Sequence, residues 1–208
     1  MNNINNYKNR WLSLFVNNDE KIYIDSFNYI LKKYSERHRK YHNFDHILSS
    51  LILFDSVREK ISNPWTFEIA IWYHDLIYNI FSIKNELRSA EAAIKFLNKV
   101  KIGNDEINIV YDLILSTTHR NQPKTKDEKY IMDIDLSILG STQSEFINYE
   151  NKIRKEYIIF PSFIYKKQRT IILKSFLEKE KIYFTQEFYL RYEEKARNNI
   201  KYLLDVLK

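Results

Sequence analysis

Apolar residues recur at spacings of three and four along most of this chain, the pattern of a helix face turned toward a core. Over 19–34 the stripe is Ile22, Phe27, Ile30, Leu31 and Tyr34, and over 44–60 it is Ile47, Leu51, Phe54 and Val57. Asn63 before Pro64 reads as an N-cap and a first helical residue. The segment they open runs through Trp65, Ile69, Trp72 and Tyr73 and is expected to end near Tyr78. Amphipathic runs over 85–100 and 105–118 follow, with Gly103 between them as an expected C-terminal stop. Thr125 and Glu128 stand at capping-box spacing ahead of Ile131, Ile134 and Ile138, and Gly140 is expected to close that helix. Thr142 and Glu145 repeat the capping signal. Helices over 162–179 and, with Thr185 as cap, over 186–207 complete an all-α pattern.

Composition narrows this further. A chain of 208 residues with 44% hydrophobic and 29% charged residues can bury a sizeable core, and no repeat, linker or shift in composition divides it, so one domain over 1–208 is expected. With only two glycines it can hold neither a G-x-G-x-x-G dinucleotide loop nor a G-x-x-x-x-G-K phosphate loop. Scarce Gly and Pro also argue against a many-stranded β fold, whose tight turns need them. The absence of cysteine excludes a thiol nucleophile, a cysteine zinc site and an iron–sulfur cluster, so any metal must sit on His, Asp and Glu.

The net charge of +6 would suit an anionic ligand, yet Lys and Arg are interleaved with Glu and Asp, which argues against nucleic acid as a partner. The run Glu36-Arg37-His38-Arg39-Lys40 reads as a solvated charged stretch with His38 exposed. The 16 Tyr and 13 Phe recur at helical spacing and read as core rather than as a stacking platform. MNNINNYKNR lacks the apolar stretch of a signal peptide and nowhere do 18 apolar residues run together, so a soluble, cytoplasmic protein with no membrane partner is expected.

Candidate chemistry is concentrated in the histidines and aspartates. Tyr41-His42-Asn43-Phe44-Asp45-His46 places two histidines four apart at the entry to a helix. Trp72-Tyr73-His74-Asp75 sets an imidazole beside a carboxylate at the end of a markedly apolar segment, where charge needs a partner or a cation. In Met132-Asp133-Ile134-Asp135-Leu136, helical spacing surrounds Asp135 with Ile131, Ile138 and Leu139 and Asp133 with Lys129, Tyr130, Leu136 and Ser137, so Asp135 is expected on the buried face. His46, His74, Asp75 and Asp135 then form a hard nitrogen-and-oxygen ligand set contributed by three helices of one bundle.

His…His-Asp…Asp in a helical chain resembles the HD-domain superfamily of metal-dependent phosphohydrolases. Tyr41-His42-Asn43-x-x-His46, Trp72-Tyr73-His74-Asp75, Asn85-Glu86-x-x-Ser89-Ala90, Thr118-His119 and Asp133-x-Asp135-Leu136-x-Ile138-Leu139-Gly140 are similar to the predicted HD phosphohydrolases of bacteria. The similarity runs over roughly residues 34–200 and takes in Ile153-Arg154-Lys155-Glu156-Tyr157 and Glu194-Lys195-Ala196-Arg197-Asn198-Asn199.

The resemblance implies an HD-domain helical bundle, one or two divalent ions (Mn, Mg, Fe, Co or Zn) on His46, His74, Asp75 and Asp135, and hydrolysis of a nucleotide or other small phosphoester. It implies His42 as proton donor to the leaving oxygen, a task suited to an imidazole near its ordinary pKa. His119 is a candidate for a second metal or a substrate phosphate, and Glu86 for ordering a water or for capping its helix. Asp75, as a ligand, also suits orienting the attacking hydroxide. Arg88, Arg154, Lys166 and Arg169 are the candidates for neutralising phosphate charge. Two alternatives remain on the same fold: a nucleotide-binding regulatory module without turnover, and a di-iron oxygenase. Nothing in the sequence decides between a monomer and a homodimer.

Overall fold

The computed structural model describes residues 4–15 and 20–207, and every regular element among them is helical. The α-helices are α1 (Ile4–Ser13), α2 (Glu20–Tyr34), α3 (Phe44–Val57), α4 (Pro64–Tyr73), α5 (Asn85–Lys99), α6 (Asn104–Ser116), α7 (Lys126–Asp135), α8 (Gln143–Glu156), α9 (Ser162–Leu177) and α10 (Gln186–Leu207), with 3-10 turns over Arg58–Lys60 and Leu136–Gly140. Asp19, the first residue of the expected 19–34 stripe, lies outside the described residues. Among the described residues no helix is long and apolar enough to cross a membrane.

The expected caps at Asn63, Thr125 and Thr142 act as such, and Asn43 adds one for α3, whereas the Thr185 hydroxyl donates to Asp133. Asn43, Asn63 and Thr125 each accept a backbone N–H of the first turn, and Thr142 with Glu145 forms a complete capping box. Helix α4 is buried at every position from Thr66 to Tyr73, so it carries no polar face and forms the axis of the core. It packs against α3, α5, α6 and α7, while α10 lies along the 136–140 turn and α9. Glu68, buried on α4, is held by Arg10 of α1 at 2.7 Å and by Arg58 at 3.1 Å. Helix α1 is absent from the sequence reading, although it buries Trp11 and packs Tyr7 and Leu12 against the core. That indole is completely buried and donates from Nε1 to the Tyr23 carbonyl at 3.0 Å.

Three expected boundaries are corrected. Helix α4 stops at Tyr73 rather than near Tyr78, because the continuing carbonyls find other partners. The Ile71 carbonyl pairs with His74 Nδ1, and those of Asp75 and Leu76 accept from the Arg39 guanidinium at 2.6 and 2.7 Å. Between α5 and α6 the left-handed residue is Lys101 (φ 60°), whereas Gly103 is the N-cap of α6 at φ −66° and not a C-terminal stop. Helix α7 ends at Asp135 and the chain tightens to 3-10 through Gly140. Gly140 is required by packing: a Cβ there would sit 2.6 Å from the Tyr192 carbonyl oxygen and 2.8 Å from its Cα, so α10 crosses directly over it.

The run 36–40 is likewise not simply solvated. His38 is exposed as expected, but Arg39 is only 4% exposed, and besides the Asp75 and Leu76 carbonyls it bonds that of His42 at 3.2 Å. One buried guanidinium thus joins the loop before α3 to the loop after α4, the two segments that carry the histidine motifs.

Candidate metal centre

His46 stands in the first turn of α3, His74 is the C-cap of α4, Asp75 follows it, and Asp135 ends α7. Each is therefore set by a helix end. The rings of His46 and His74 face each other through Nε2 atoms 3.0 Å apart. Asp75 Oδ2 lies 3.6 Å from the first and 3.4 Å from the second. Asp135 Oδ1 closes the other side at 3.3 and 3.6 Å. One ligand atom from each of His46, His74 and Asp75 falls within 4.8 Å of the others, a group able to hold a metal ion.

The donor chemistry fits a divalent cation. His74 Nδ1 lies 2.9 Å from the Ile71 carbonyl, so that nitrogen carries a proton and the neutral ring directs the Nε2 lone pair at the cluster. Burial opposes charge on His74, but Asp75 and Asp135 overcome it and hold its pKa well above the ordinary imidazole value. Burial likewise works against ionised carboxylates, yet the histidines keep Asp75 and Asp135 well below the usual carboxylate range. The cluster demands positive charge between its donors, which protons or a cation can supply.

Around this group the remaining sequence candidates separate. His42, Asp75, Glu86, His119 and Asp135 all line one cavity of about 640 Å³. His119 reaches it from a left-handed backbone (φ 55°) just beyond α6 and meets Asp135 Oδ2 through Nε2 at 2.8 Å. Glu86, in the first turn of α5, has its carboxyl pushed up by burial and by the charges of Asp75 and Asp135, against a lowering contact with its own backbone N–H. Of the four proposed cationic groups, Arg88, Arg154 and Lys166 are absent from the cavity lining. Arg154 instead holds the carbonyls of Tyr157 and Phe160 at 2.7 and 3.1 Å. Arg169 does line the cavity, but it is bound by both oxygens of Glu150 and donates to Tyr149 Oη at 3.0 Å.

The expectation for Asp133 and Asp135 is corrected in one respect. Asp133 is wholly buried and Asp135 only partly so, because the chain at 182–185 covers the face of α7 expected to be solvated. Asp133 accepts the backbone N–H groups of Phe184 and Thr185 at 2.8 and 2.7 Å and the Thr185 hydroxyl at 2.7 Å. Burial pushes its carboxyl up to about 6 against those hydrogen bonds. Asp133 anchors the start of α10, and Asp135 opens on the cavity.

Glu156 is the site residue that residue-by-residue reasoning passed over. From the end of α8 its Oε1 accepts the backbone N–H groups of Lys40, Tyr41 and His42 at 2.7, 2.8 and 3.0 Å. Its Oε2 accepts the Tyr78 hydroxyl at 2.7 Å and meets His42 Nδ1 at 2.7 Å. Burial opposes this charge, but the His42 contact and the Tyr41 and Tyr78 donors hold the pKa at about 2. Burial also opposes a charged His42, and the bond to Glu156 with the charges of Asp75 and Asp135 raises its pKa nonetheless.

Comparison of the chain with protein-family models, with curated proteins and with solved structures finds no match.

Proposed function

We propose that this chain is a metal-dependent phosphohydrolase of the HD type, acting on a small phosphoester. The observation that carries this is the convergence, from the ends of three helices, of two imidazole Nε2 atoms 3.0 Å apart with one oxygen each of Asp75 and Asp135, every one of them 3.3–3.6 Å from both rings, the two carboxylates lying on the wall of a cavity. His46, His74, Asp75 and Asp135 would hold the ion, whose chemistry when bound is polarisation of a phosphoryl oxygen and a lower pKa for water.

The chain's own groups do the rest. His42 lines the cavity with Nδ1 engaged by Glu156, which leaves Nε2 to give a proton to the leaving oxygen. Glu156 positions that ring and favours its charged form. Glu86 orders water at the cavity wall, and His119, fixed to Asp135, meets the phosphate from the opposite side. The strained backbone at His119 supports a functional task there, since left-handed non-glycine residues cluster at such sites.

A screen of phosphoesters and nucleotides with Mn, Mg, Fe, Co and Zn, run beside Asp75→Ala, tests this. Phosphate release that depends on the metal and disappears in the variant supports it. Ligand binding without turnover would make the chain a regulatory module, and a redox-active di-iron spectrum without phosphate release would make it an oxygenase.

A further inference from the structure

The cavity beside the metal cluster has two unlike ends. At the inner end stand His42, Asp75, His119 and Asp135. The outer end is formed by Phe160, Ile164, Ile172 and Phe176 from the turn before α9 and from α9 itself. Ile164 and Ile172 line the cavity and are still 38% and 46% exposed, so they form its mouth. The apolar surface continues outward from there. The exposed Phe81 ring lies 5.7 Å from that of Phe160, and Phe163 and Ile171, next in sequence to the mouth residues, are also exposed. Helix α9 buries only Arg169 and Leu173, so most of its apolar residues serve no core.

Several polar groups of the lining are committed elsewhere. Arg169 is neutralised by Glu150, and Arg120 donates to the Ile83 carbonyl at 3.3 Å. The hydroxyls of Thr117 and Thr118 turn back to carbonyls of their own helix at 2.7 and 2.9 Å. No lysine belongs to the lining, and Gln168 is its one amide among the described residues. Away from the cluster the lining is chiefly apolar, through Ile80, Ile153, Phe160, Ile164, Ile172 and Phe176, with Arg120, held by a carbonyl alone, as its remaining arginine, so a single phosphate on an apolar body matches it better than a polyphosphate.

We infer that the substrate is an amphiphilic phosphomonoester: one phosphate at the metal cluster, esterified to an apolar alcohol whose hydrocarbon body fills the outer cavity and emerges over Ile164, Ile172 and Phe81. This rests on the phosphohydrolase reading for the phosphate end, while the apolar end is carried by the lining of the cavity alone. An exposed apolar rim continuous with a cavity gives the ligand's tail a place that a free helix face would not.

The test uses butyl, hexyl and octyl phosphate below their micelle concentrations, with glycerol 3-phosphate and ATP as polar comparisons. Binding is measured by calorimetry with manganese present, and phosphate release is measured separately. Affinity is expected to rise about fourfold per methylene while the chain remains inside the cavity, from the free energy of burying a CH₂. Ile172→Asp, a change at a half-exposed position that leaves the core intact, is expected to flatten this dependence without altering affinity for inorganic phosphate. Chain-length independence, tighter binding of ATP than of octyl phosphate, or an unchanged slope in Ile172→Asp would overturn the inference. Self-association through α9, seen as a dimer by light scattering that Ile172→Asp dissociates while the slope stays flat, would do so as well. Phosphate released from nucleotides but not from alkyl phosphates would remove this inference and leave the hydrolase. Alkyl phosphates bound with the expected slope but never cleaved would remove the hydrolase and leave the binding site.

Discussion

His42 and Glu156 stand 114 residues apart in the chain and meet at 2.7 Å, and the same carboxylate also holds the backbone of residues 40–42. The pair joins the end of α8 to the segment that leads into α3, so a group that serves the candidate chemistry also closes the fold around it.

The acid limb of stability follows from this carboxylate. Its pKa falls from 4.5 to about 2 on folding, so its contribution is complete above pH 4.5 and is lost as pH drops toward 2. A shift of that size corresponds to about 3 kcal/mol. Chemical denaturation of Glu156→Gln is expected to show a loss of about that size at neutral pH and a flatter profile between pH 4.5 and 2. An acid limb identical to wild type would contradict the assignment.

Arg39 gives a second prediction. Its guanidinium satisfies three carbonyls, of His42, Asp75 and Leu76, that no helix can reach. Arg39→Met is expected to destabilise by about 2–4 kcal/mol, since buried acceptors lose their partners. Arg39→Lys should recover only part of this, because an ammonium cannot reproduce the planar fork. Urea titrations of the two variants decide the matter; a full rescue by lysine would show that charge alone suffices.

Metal addition should be visible without any substrate. At a free manganese concentration a hundredfold above its dissociation constant, stabilisation of about 2.7 kcal/mol is expected, seen as a rise in melting temperature that a chelator reverses. His74→Ala and Asp135→Ala, each removing a donor at the cluster, should abolish the rise. A shift retained in both variants would place the ion elsewhere.

Gly140 offers a test of packing alone. Its missing Cβ is the space through which the Tyr192 backbone passes. Gly140→Ala should lower stability by about 1–3 kcal/mol, the usual range for overpacking, with the loss read from the midpoint of thermal unfolding. Unchanged stability would mean that α10 can move away from the 136–140 turn freely.

How much of this could be read in advance depends on whether the determining contacts are local. Helix starts were legible at Asn63, Thr125 and Thr142 because a cap needs only the next three residues, while the cap at Asn43 was not picked out. The all-α class and the grouping of His46, His74, Asp75 and Asp135 as candidate ligands followed from periodicity, composition and residue chemistry. Where α4 stops was not legible, since it depends on a guanidinium 36 residues upstream. Nor was the exchange of burial between Asp133 and Asp135, which depends on a segment about fifty residues downstream.

The sequence by itself therefore determined most of the helical elements, several of their caps and the candidate donors, because each of these is specified by neighbours within a turn or two. Only the tertiary structure decided which charges are already neutralised. It spends Arg169 on Glu150, buries Arg39 among carbonyls and gives Glu156 to His42, and it leaves the mouth of the cavity to isoleucine and phenylalanine. The physical reason is that the state of a charge is set by whatever lies within a few ångströms, and in a bundle of this kind those groups come from anywhere in the chain.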